Sequence, residues 1–182
     1  MAKRLFLVPY ESLVLREATN LVLDPKIKEI RNLVDDMIYS IRPEFLPEPA
    51  AGMAANQWGV NQQIFIYCPN GNDKDIQVIF NPTYEPMEGS EEEEGWEGCF
   101  SIPLALGKMR RHTKIKVTYV DKKGKFHSKI LRDWEARVWQ HETDHLRGFL
   151  YDMMGPRCCE KRIFDTEEEK ELFLKQERQG ES

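Results

Sequence analysis

The chain has 182 residues, of which 41% are hydrophobic and 31% charged, and this is enough apolar material for one compact domain with its own core. Its formal net charge of -5 gives no polybasic signature, so nucleic acid and anionic membrane surfaces are not expected as main partners. The apolar stretch near the start is broken by Pro9 and Glu11, and no apolar run approaches a membrane span, so we expect a cytoplasmic protein.

The first predicted element is a helix over residues 24–42, with Asp24 as its N-cap and Pro25 at its first position. Apolar residues recur at helical spacing along it and predict one face in the core. These residues are Ile27, Ile30, Val34, Met37, Ile38 and Ile41.

Short runs of β-type residues follow this helix. Strands are predicted at residues 63–68 and 77–81, separated by a turn-rich segment at 69–75. Two further strands are predicted within residues 115–131, joined by a turn at 121–124. Several strands therefore precede the segment that carries the chemistry.

Two segments of the chain are strongly acidic. Residues 88–99, "EGSEEEEGWEGC", predict a solvated loop between strands. Residues 165–182 open with a capping box, Thr166 with Glu169, and predict an acidic terminal helix or tail that frays. We expect residues 1–164 to form a single domain.

A helix predicted over residues 133–148, with its first aspartate as N-cap, contains the pattern H-E-x-x-H. His141 and His145 are one turn apart and share a face with Val138, close enough to bind one metal ion. Glu142 beside them could handle the proton of a water on that ion. The alternative is a pair of helix-surface histidines, but a buried glutamate beside two imidazoles favours a compensating cation.

A third metal ligand must come from elsewhere in the chain. Some zinc proteases place a last histidine three residues after the glycine of a longer motif, but Tyr151 occupies that position here. His112 and His127 lie in or beside predicted strands and are expected to be ordinary residues. Cys99 is favoured, because Gly98 lets the backbone approach closely and a thiolate is a strong ligand. The other cysteines are expected to be buried or inert thiols: Cys68, Cys158 and Cys159.

Three motifs together resemble a known family. "AAGMAANQWG" at 50–59, "EGCFS" at 97–101 and "QHETDHLRG" at 140–148 have the order and approximate spacing of the signature motifs of peptide deformylases. The resemblance implies an α+β fold with antiparallel strands packed around a central metal-binding helix. It also implies a catalytic domain over residues 1–164 that removes the formyl group from N-formylmethionyl nascent polypeptides.

The resemblance implies a metal site of three protein ligands. Cys99, His141 and His145 would hold one divalent ion, with water in the open fourth position. Ferrous iron is the ion that the family implies, while zinc, nickel or cobalt would also suit a cysteine with two histidines.

The remaining roles also follow from the resemblance. Glu142 would move the proton, and the Gln57 side-chain amide with the Phe100 backbone N–H would stabilise the oxyanion. Glu97 and Arg111 would form a buried pair that orients the Cys99 loop. Four residues would contact the substrate, the last by lining a pocket for the methionine side chain: Gly52, Met53, Gly98 and Val138.

Two features depart from the family pattern. Ala50 stands where the first motif has glycine, which is expected to alter efficiency or substrate range unless a small backbone shift accommodates the methyl group. The terminal helix is net acidic, so we do not expect it to dock on ribosomal RNA.

Two other functions remain open from the residues alone. A zincin-like metallopeptidase would lack a clear downstream ligand. A non-catalytic deformylase-like binder of protein N-termini is disfavoured by the intact Glu142.

Overall fold

The computed structural model describes residues 2–69, 75–153 and 155–180, and it confirms the expected α+β class. Every strand pair is antiparallel, with a five-stranded sheet in the order β1-β2-β3-β6-β7 and a three-stranded sheet in the order β4-β5-β8. The strands are β1 (Gly52–Ala54), β2 (Ile64–Tyr67), β3 (Gln77–Pro86), β4 (Glu92–Cys99), β5 (Ile102–His112), β6 (Lys114–Val120), β7 (Phe126–Arg132) and β8 (Cys158–Ile163). The α-helices are α1 (Lys28–Ser40), α2 (Asp133–Leu146) and α3 (Glu167–Gly180).

Helix α2 lies at the centre of the fold and contacts strands of both sheets. Trp139 anchors it, since its ring packs edge-on against Phe65 at a centroid distance of 5.0 Å and against Tyr119 at 5.1 Å. Truncating a buried aromatic of this kind costs about 3–5 kcal/mol. Asp133 is the first residue of α2 and not the residue before it, so the predicted N-cap was wrong by one position.

Helix α1 begins at Lys28, four residues after the predicted cap. The carboxylate of Asp24 accepts a hydrogen bond of 2.9 Å from the Lys26 backbone N–H, so it forms a turn before the helix instead of capping it. Most of the predicted apolar face is confirmed, since Val34 and Met37 are buried in the same core cluster as the β2 and β3 side chains, whereas Ile27 lies before the helix and is 46% exposed. The periodicity therefore identified the face correctly and the helix start incorrectly.

The other predicted strands are also present. β2 matches its prediction closely, whereas β3 runs five residues further because it continues to pair with β6 after an irregularity between Phe80 and Thr83. β6 and β7 form the predicted hairpin, closed by a hydrogen bond of 2.8 Å from the Gly124 N–H to the Asp121 carbonyl. Most of the predicted turn at 69–75 lies outside the described residues.

The predicted acidic loop at 88–99 was wrong, because most of it forms β4. Pairing with β5 places Glu92 opposite His112 and Glu94 opposite Arg110, so acidic side chains face basic ones across the ladder. Arg110 Nη2 lies 2.8 Å from Glu94 Oε1. The glutamates are exposed as expected, but pairing with the next strand fixes their backbone in an extended conformation.

Helix α3 opens with the predicted capping interaction and packs on β4. The Thr166 hydroxyl accepts a hydrogen bond of 3.2 Å from the Glu169 N–H. Phe173 contacts the ring of Trp96 edge-on at 5.0 Å, and Lys170 Nζ lies 3.2 Å from Glu48 Oε1, just before β1. The chain division at residue 165 stays a prediction. Among the described residues, no helix combines the length and apolarity needed to cross a membrane.

Candidate metal centre

Three potential metal ligands converge where α2 meets the end of β4. Cys99 Sγ lies 3.2 Å from His145 Nε2, which lies 3.1 Å from His141 Nε2, and the three atoms are within 4.8 Å of one another. A tetrahedral ion bound to one sulfur and two nitrogens sets these atoms about 3.3–3.6 Å apart. The three side chains therefore fit a metal ion with only a small outward adjustment.

The orientation of His141 is fixed from behind by a carboxylate. His141 Nδ1 lies 2.9 Å from Glu97 Oε2, so the Nδ1–H donates to Glu97 and Nε2 faces the other two ligands. Burial alone would lower the pKa of His141, but its hydrogen bonds with Cys99 and Glu97 raise that pKa well above its usual value. The site therefore favours a positive charge at His141 Nε2, whether a proton or a metal ion.

His145 has the opposite electrostatic character. Burial, followed by the charges of His141 and Arg111, lowers the pKa of His145 well below its usual value and keeps the imidazole neutral. The side-chain amide of Asn56 donates a hydrogen bond of 2.6 Å to the His145 carbonyl and so ties the helix to the residues after β1. A neutral imidazole is the form that binds a metal ion.

A buried ion-pair network supports Glu97. Arg111 donates two hydrogen bonds to Glu97, at 2.9 and 3.0 Å, and a third to Asp144. Although burial raises the pKa of Glu97, the charge of Arg111 and the hydrogen bonds from His141 and Arg111 together outweigh it and hold that pKa far below its usual range. Arg111 is 3% exposed, so the carboxylate beside His141 stays ionised without solvent.

Arg111→Leu is expected to destabilise the fold by about 3–5 kcal/mol, because two buried carboxylates would lose their shared counterion. Arg110→Leu is the matched control: Arg110 is the adjacent residue and pairs with Glu94 on the surface, so its loss is expected to leave the denaturation midpoint nearly unchanged. Urea denaturation followed by circular dichroism measures both. Equal shifts in the midpoint would contradict the structural importance of the buried network.

Glu142 projects into the same site but is not among the three converging ligands. It is buried and packs directly on Gly52 of β1, where an added Cβ would lie 2.7 Å from its Cγ. Burial raises the pKa of Glu142 to about 7. Its Oε2 is buried and has no hydrogen-bond partner among the described residues, so this oxygen can accept a proton.

Gln57 places an amide N–H at the metal ligands. Its Oε1 accepts a hydrogen bond of 2.9 Å from the Ala54 N–H, which fixes the side chain. Its Nε2 donates to the Ser101 hydroxyl at 3.1 Å and lies 3.6 Å from Cys99 Sγ. Phe100 follows Cys99 in the tight turn between β4 and β5, so its backbone is beside the same ligand.

A cavity of about 510 Å³ opens onto these groups. Gly52, Gly98 and Val138 line it as predicted for residues that contact substrate. Met53 has its side chain fully buried in the core, so any contact with a ligand is left to its main chain. Helix α3 forms part of the wall through Lys170, Leu174, Glu177 and Arg178.

The other candidate residues lie outside the metal centre. His127 Nε2 lies 2.8 Å from Asp121 Oδ2, and His112 pairs with Glu92 at the end of the β4–β5 ladder. Tyr151 is buried in the core cluster that includes Cys99, in agreement with its failure to fit the protease pattern. Within the described residues, Cys99, His141 and His145 form the group of side chains able to hold a metal ion.

Sequence reasoning missed three residues that support the site: Ser101, which accepts from Gln57; Asp144, which accepts from Arg111; and Arg137, which donates to Glu97. One indication of these roles was present in the sequence, which is that Ser101 and Asp144 lie within the motifs at 97–101 and 140–148.

Comparisons with known proteins agree with this geometry. Residues 5–158 match the family model described as polypeptide deformylase. A peptide deformylase 2 of Ralstonia nicotianae is 37% identical over 132 residues, covering 69% of this chain and 72% of the relative. A peptide deformylase of Bifidobacterium adolescentis is 34% identical over 132 residues, covering 66% of this chain and 60% of the relative.

Solved structures give the same result. The peptide deformylase of Legionella pneumophila superposes with a TM-score of 0.74 at 28% identity, covering 85% of this chain and 88% of that one. The peptide deformylase of Thermotoga maritima superposes with a TM-score of 0.72 at 27% identity, covering 81% and 95%. The similarity therefore extends over most of both chains.

Proposed function

The chain belongs to the polypeptide deformylase family of metal-dependent hydrolases, and from that premise we propose which residues remove the formyl group from N-formylmethionyl nascent polypeptides. The observation that carries the proposal is the convergence of Cys99, His141 and His145 beside a cavity lined by Cys99, His141 and Glu142, where Glu142 Oε2 has no hydrogen-bond partner among the described residues. The same region of the molecule therefore contains a metal site, a proton acceptor and a substrate cleft.

The ion proposed for this site is ferrous iron. One thiolate with two imidazoles suits a borderline metal, so zinc, nickel and cobalt are the alternatives. When bound, the ion supplies Lewis-acid chemistry that makes water acidic at neutral pH and polarises a carbonyl group. Cys99, His141 and His145 would hold it, and Glu97 would keep His141 turned toward it through the Nδ1–H.

Glu142 is proposed to move the proton. With a pKa of about 7, it can accept a proton from water and return it near neutral pH. The water oxygen then bonds to the formyl carbon, the carbon–nitrogen bond breaks, and Glu142 delivers the proton to the departing amine. Formate and a free methionine N-terminus are the products. The contact with Gly52 holds the carboxylate in place for both transfers.

The negative charge on the formyl oxygen needs hydrogen-bond donors. Gln57 Nε2 is fixed beside Cys99, because the other end of its amide accepts from Ala54. The backbone N–H of Phe100 is the second proposed donor, directly after the cysteine ligand. Preorganised donors of this kind each contribute about 10²–10³-fold to turnover.

The proposed partner is the formylated N-terminus of a nascent chain, so the proposed location is the cytoplasm, where such chains are made. Gly52 and Gly98 both line the cavity and leave room for the peptide backbone, while Val138 contributes to an apolar slot for the methionine side chain. The acidic composition of α3 gives no support for docking on ribosomal RNA.

A substrate comparison tests the proposed function against the peptidase alternative. The purified protein is expected to convert formyl-Met-Ala-Ser to Met-Ala-Ser while leaving both internal peptide bonds intact, as followed by mass spectrometry. Cleavage between residues with the formyl group retained would contradict the proposal.

Ala50→Gly is expected to change kcat/KM for a formyl-methionyl tripeptide by less than about tenfold, equivalent to about 1.4 kcal/mol. Ala50 is 5% exposed and packs in the core, and its φ is not positive, so the methyl group is accommodated without backbone strain. The kinetics of parent and variant measure this. An inert parent with an active glycine variant would instead identify the natural protein as a non-catalytic binder.

A further inference from the structure

A guanidinium group is built into the wall of the substrate cavity. Arg137 of α2 donates from Nη1 to Glu97 Oε1 at 2.9 Å and to the Met109 carbonyl at 3.1 Å, and from Nη2 to the Glu93 carbonyl at 2.9 Å. Its side chain is 12% exposed. Because it bridges β4, β5 and the carboxylate behind His141, it cannot move aside without leaving several acceptors unpaired.

Arg137 also lines a second cavity. The cavity of about 510 Å³ at the metal centre and a neighbouring one of about 200 Å³ share Arg137, Glu93 and Trp134 as lining residues. The guanidinium lies on Gly95 of β4, where an added Cβ would be 2.9 Å from Arg137 Cζ. The boundary between the cavities therefore includes the Arg137 guanidinium, packed against a residue without a side chain.

We propose that Arg137 forms the inner end of the slot for the side chain of the formylated residue and sets the longest side chain that the enzyme accepts. This inference rests on the proposed function, which places that side chain beside Val138, the residue next to Arg137 in α2. A guanidinium held by charged and backbone acceptors makes a rigid end to the slot.

Arg137 has a second, separable effect through Glu97. Glu97 Oε1 accepts hydrogen bonds from both Arg111 and Arg137, and Glu97 Oε2 holds His141 Nδ1. Arg137 is thus a positioning residue for a metal ligand as well as a determinant of side-chain length. Replacements that keep its length but remove its donors separate the two effects.

The test compares two substrates within each variant, so the fraction of folded or metal-loaded protein cancels. The measured quantity is kcat/KM for a tripeptide beginning with formyl-2-aminooctanoate, divided by kcat/KM for formyl-Met-Ala-Ser. In Arg137→Ala, this ratio is expected to rise at least about tenfold over the parent, because the six-carbon side chain can extend into the second cavity and bury more methylene groups.

Two variants serve as matched comparisons. Arg137→Met keeps a long side chain but has no hydrogen-bond donors, so its substrate ratio is expected to stay within about threefold of the parent. Its kcat and the metal retained after dialysis are expected to fall. Arg110→Ala removes a nearby exposed arginine that does not line the slot, and neither the ratio nor the metal content is expected to change.

The outcomes separate this inference from the function on which it rests. An active parent whose ratio is unchanged in Arg137→Ala overturns the inference and leaves the proposed function standing. A parent that does not deformylate formyl-Met-Ala-Ser overturns both. Should Arg137→Ala fail to fold, Arg137→Thr gives the same test with the same expected rise.

Discussion

Glu142→Gln is expected to retain about one equivalent of metal and to lose deformylase activity by a factor of about 10²–10⁴. The amide preserves the shape that packs on Gly52, but it cannot take a proton from water or deliver one to the leaving amine. Because Glu142 is not among the three converging ligands, the metal content should not change. Activity and metal content, measured on the same preparation, test both halves of this expectation.

The control for this variant is Glu168→Gln, a glutamate exposed on α3, which is expected to leave both quantities unchanged. Loss of metal together with activity would assign Glu142 to the ligand set. Retention of both metal and activity would show that Glu142 takes no part in the reaction.

Cys99→Ser is expected to lose most of its bound metal during dialysis, and activity should fall in proportion. A serine hydroxyl stays protonated at neutral pH, whereas a thiolate binds a borderline metal strongly. Cys99 Sγ is also the ligand that joins β4 to the two histidines of α2. The loss of this ligand is therefore expected to have a larger effect on metal binding than any other cysteine substitution.

Cys68→Ser and Cys158→Ser are the matched controls. Cys68 lies in the core cluster beneath the five-stranded sheet and Cys158 in β8, and neither belongs to the group of converging ligands. Both variants are expected to retain about one equivalent of metal. Equal metal content in all three variants would contradict the assignment of Cys99.

The inward face of α2 was predictable because its signal is local. His141 and His145 are one turn apart, so any helix through them places both imidazoles on one side. The cysteine is different, since its position beside them depends on β4 ending near α2. Thiolate chemistry beside Gly98 favoured Cys99 and the resemblance to known motifs implied the full ligand set, but neither gave the spatial arrangement that the distances now show.

The three-stranded sheet was not predicted because the composition of β4 gives no local strand signal. β4 carries a run of glutamates with low strand propensity, and the basic side chains that stabilise it lie on β5. The third strand, β8, comes more than forty residues later in the chain. The local sequence pattern predicts that Glu92 to Glu94 are exposed. It does not identify β5 as the strand that pairs with them and keeps their backbone extended.

The burial of Arg137 was also not predictable from the local sequence. In sequence it is one arginine on the predicted helix, and a solvent-exposed side chain is the usual expectation for that residue type. Its burial depends on Gly95, which leaves space for the guanidinium, and on Glu97 and two carbonyls that accept its hydrogen bonds. All of these acceptors lie on the sheet that the sequence did not predict.

The most direct test of the central claim is formate release from formyl-Met-Ala-Ser, measured against metal content in one preparation. Protein with a full equivalent of metal is expected to release formate and free amine in equal amounts. Chelation should abolish turnover, and reloading with ferrous iron under anaerobic conditions should restore it in proportion to the metal bound. Turnover that persists after the metal is removed, or a fully metallated protein that releases no formate, would contradict the account.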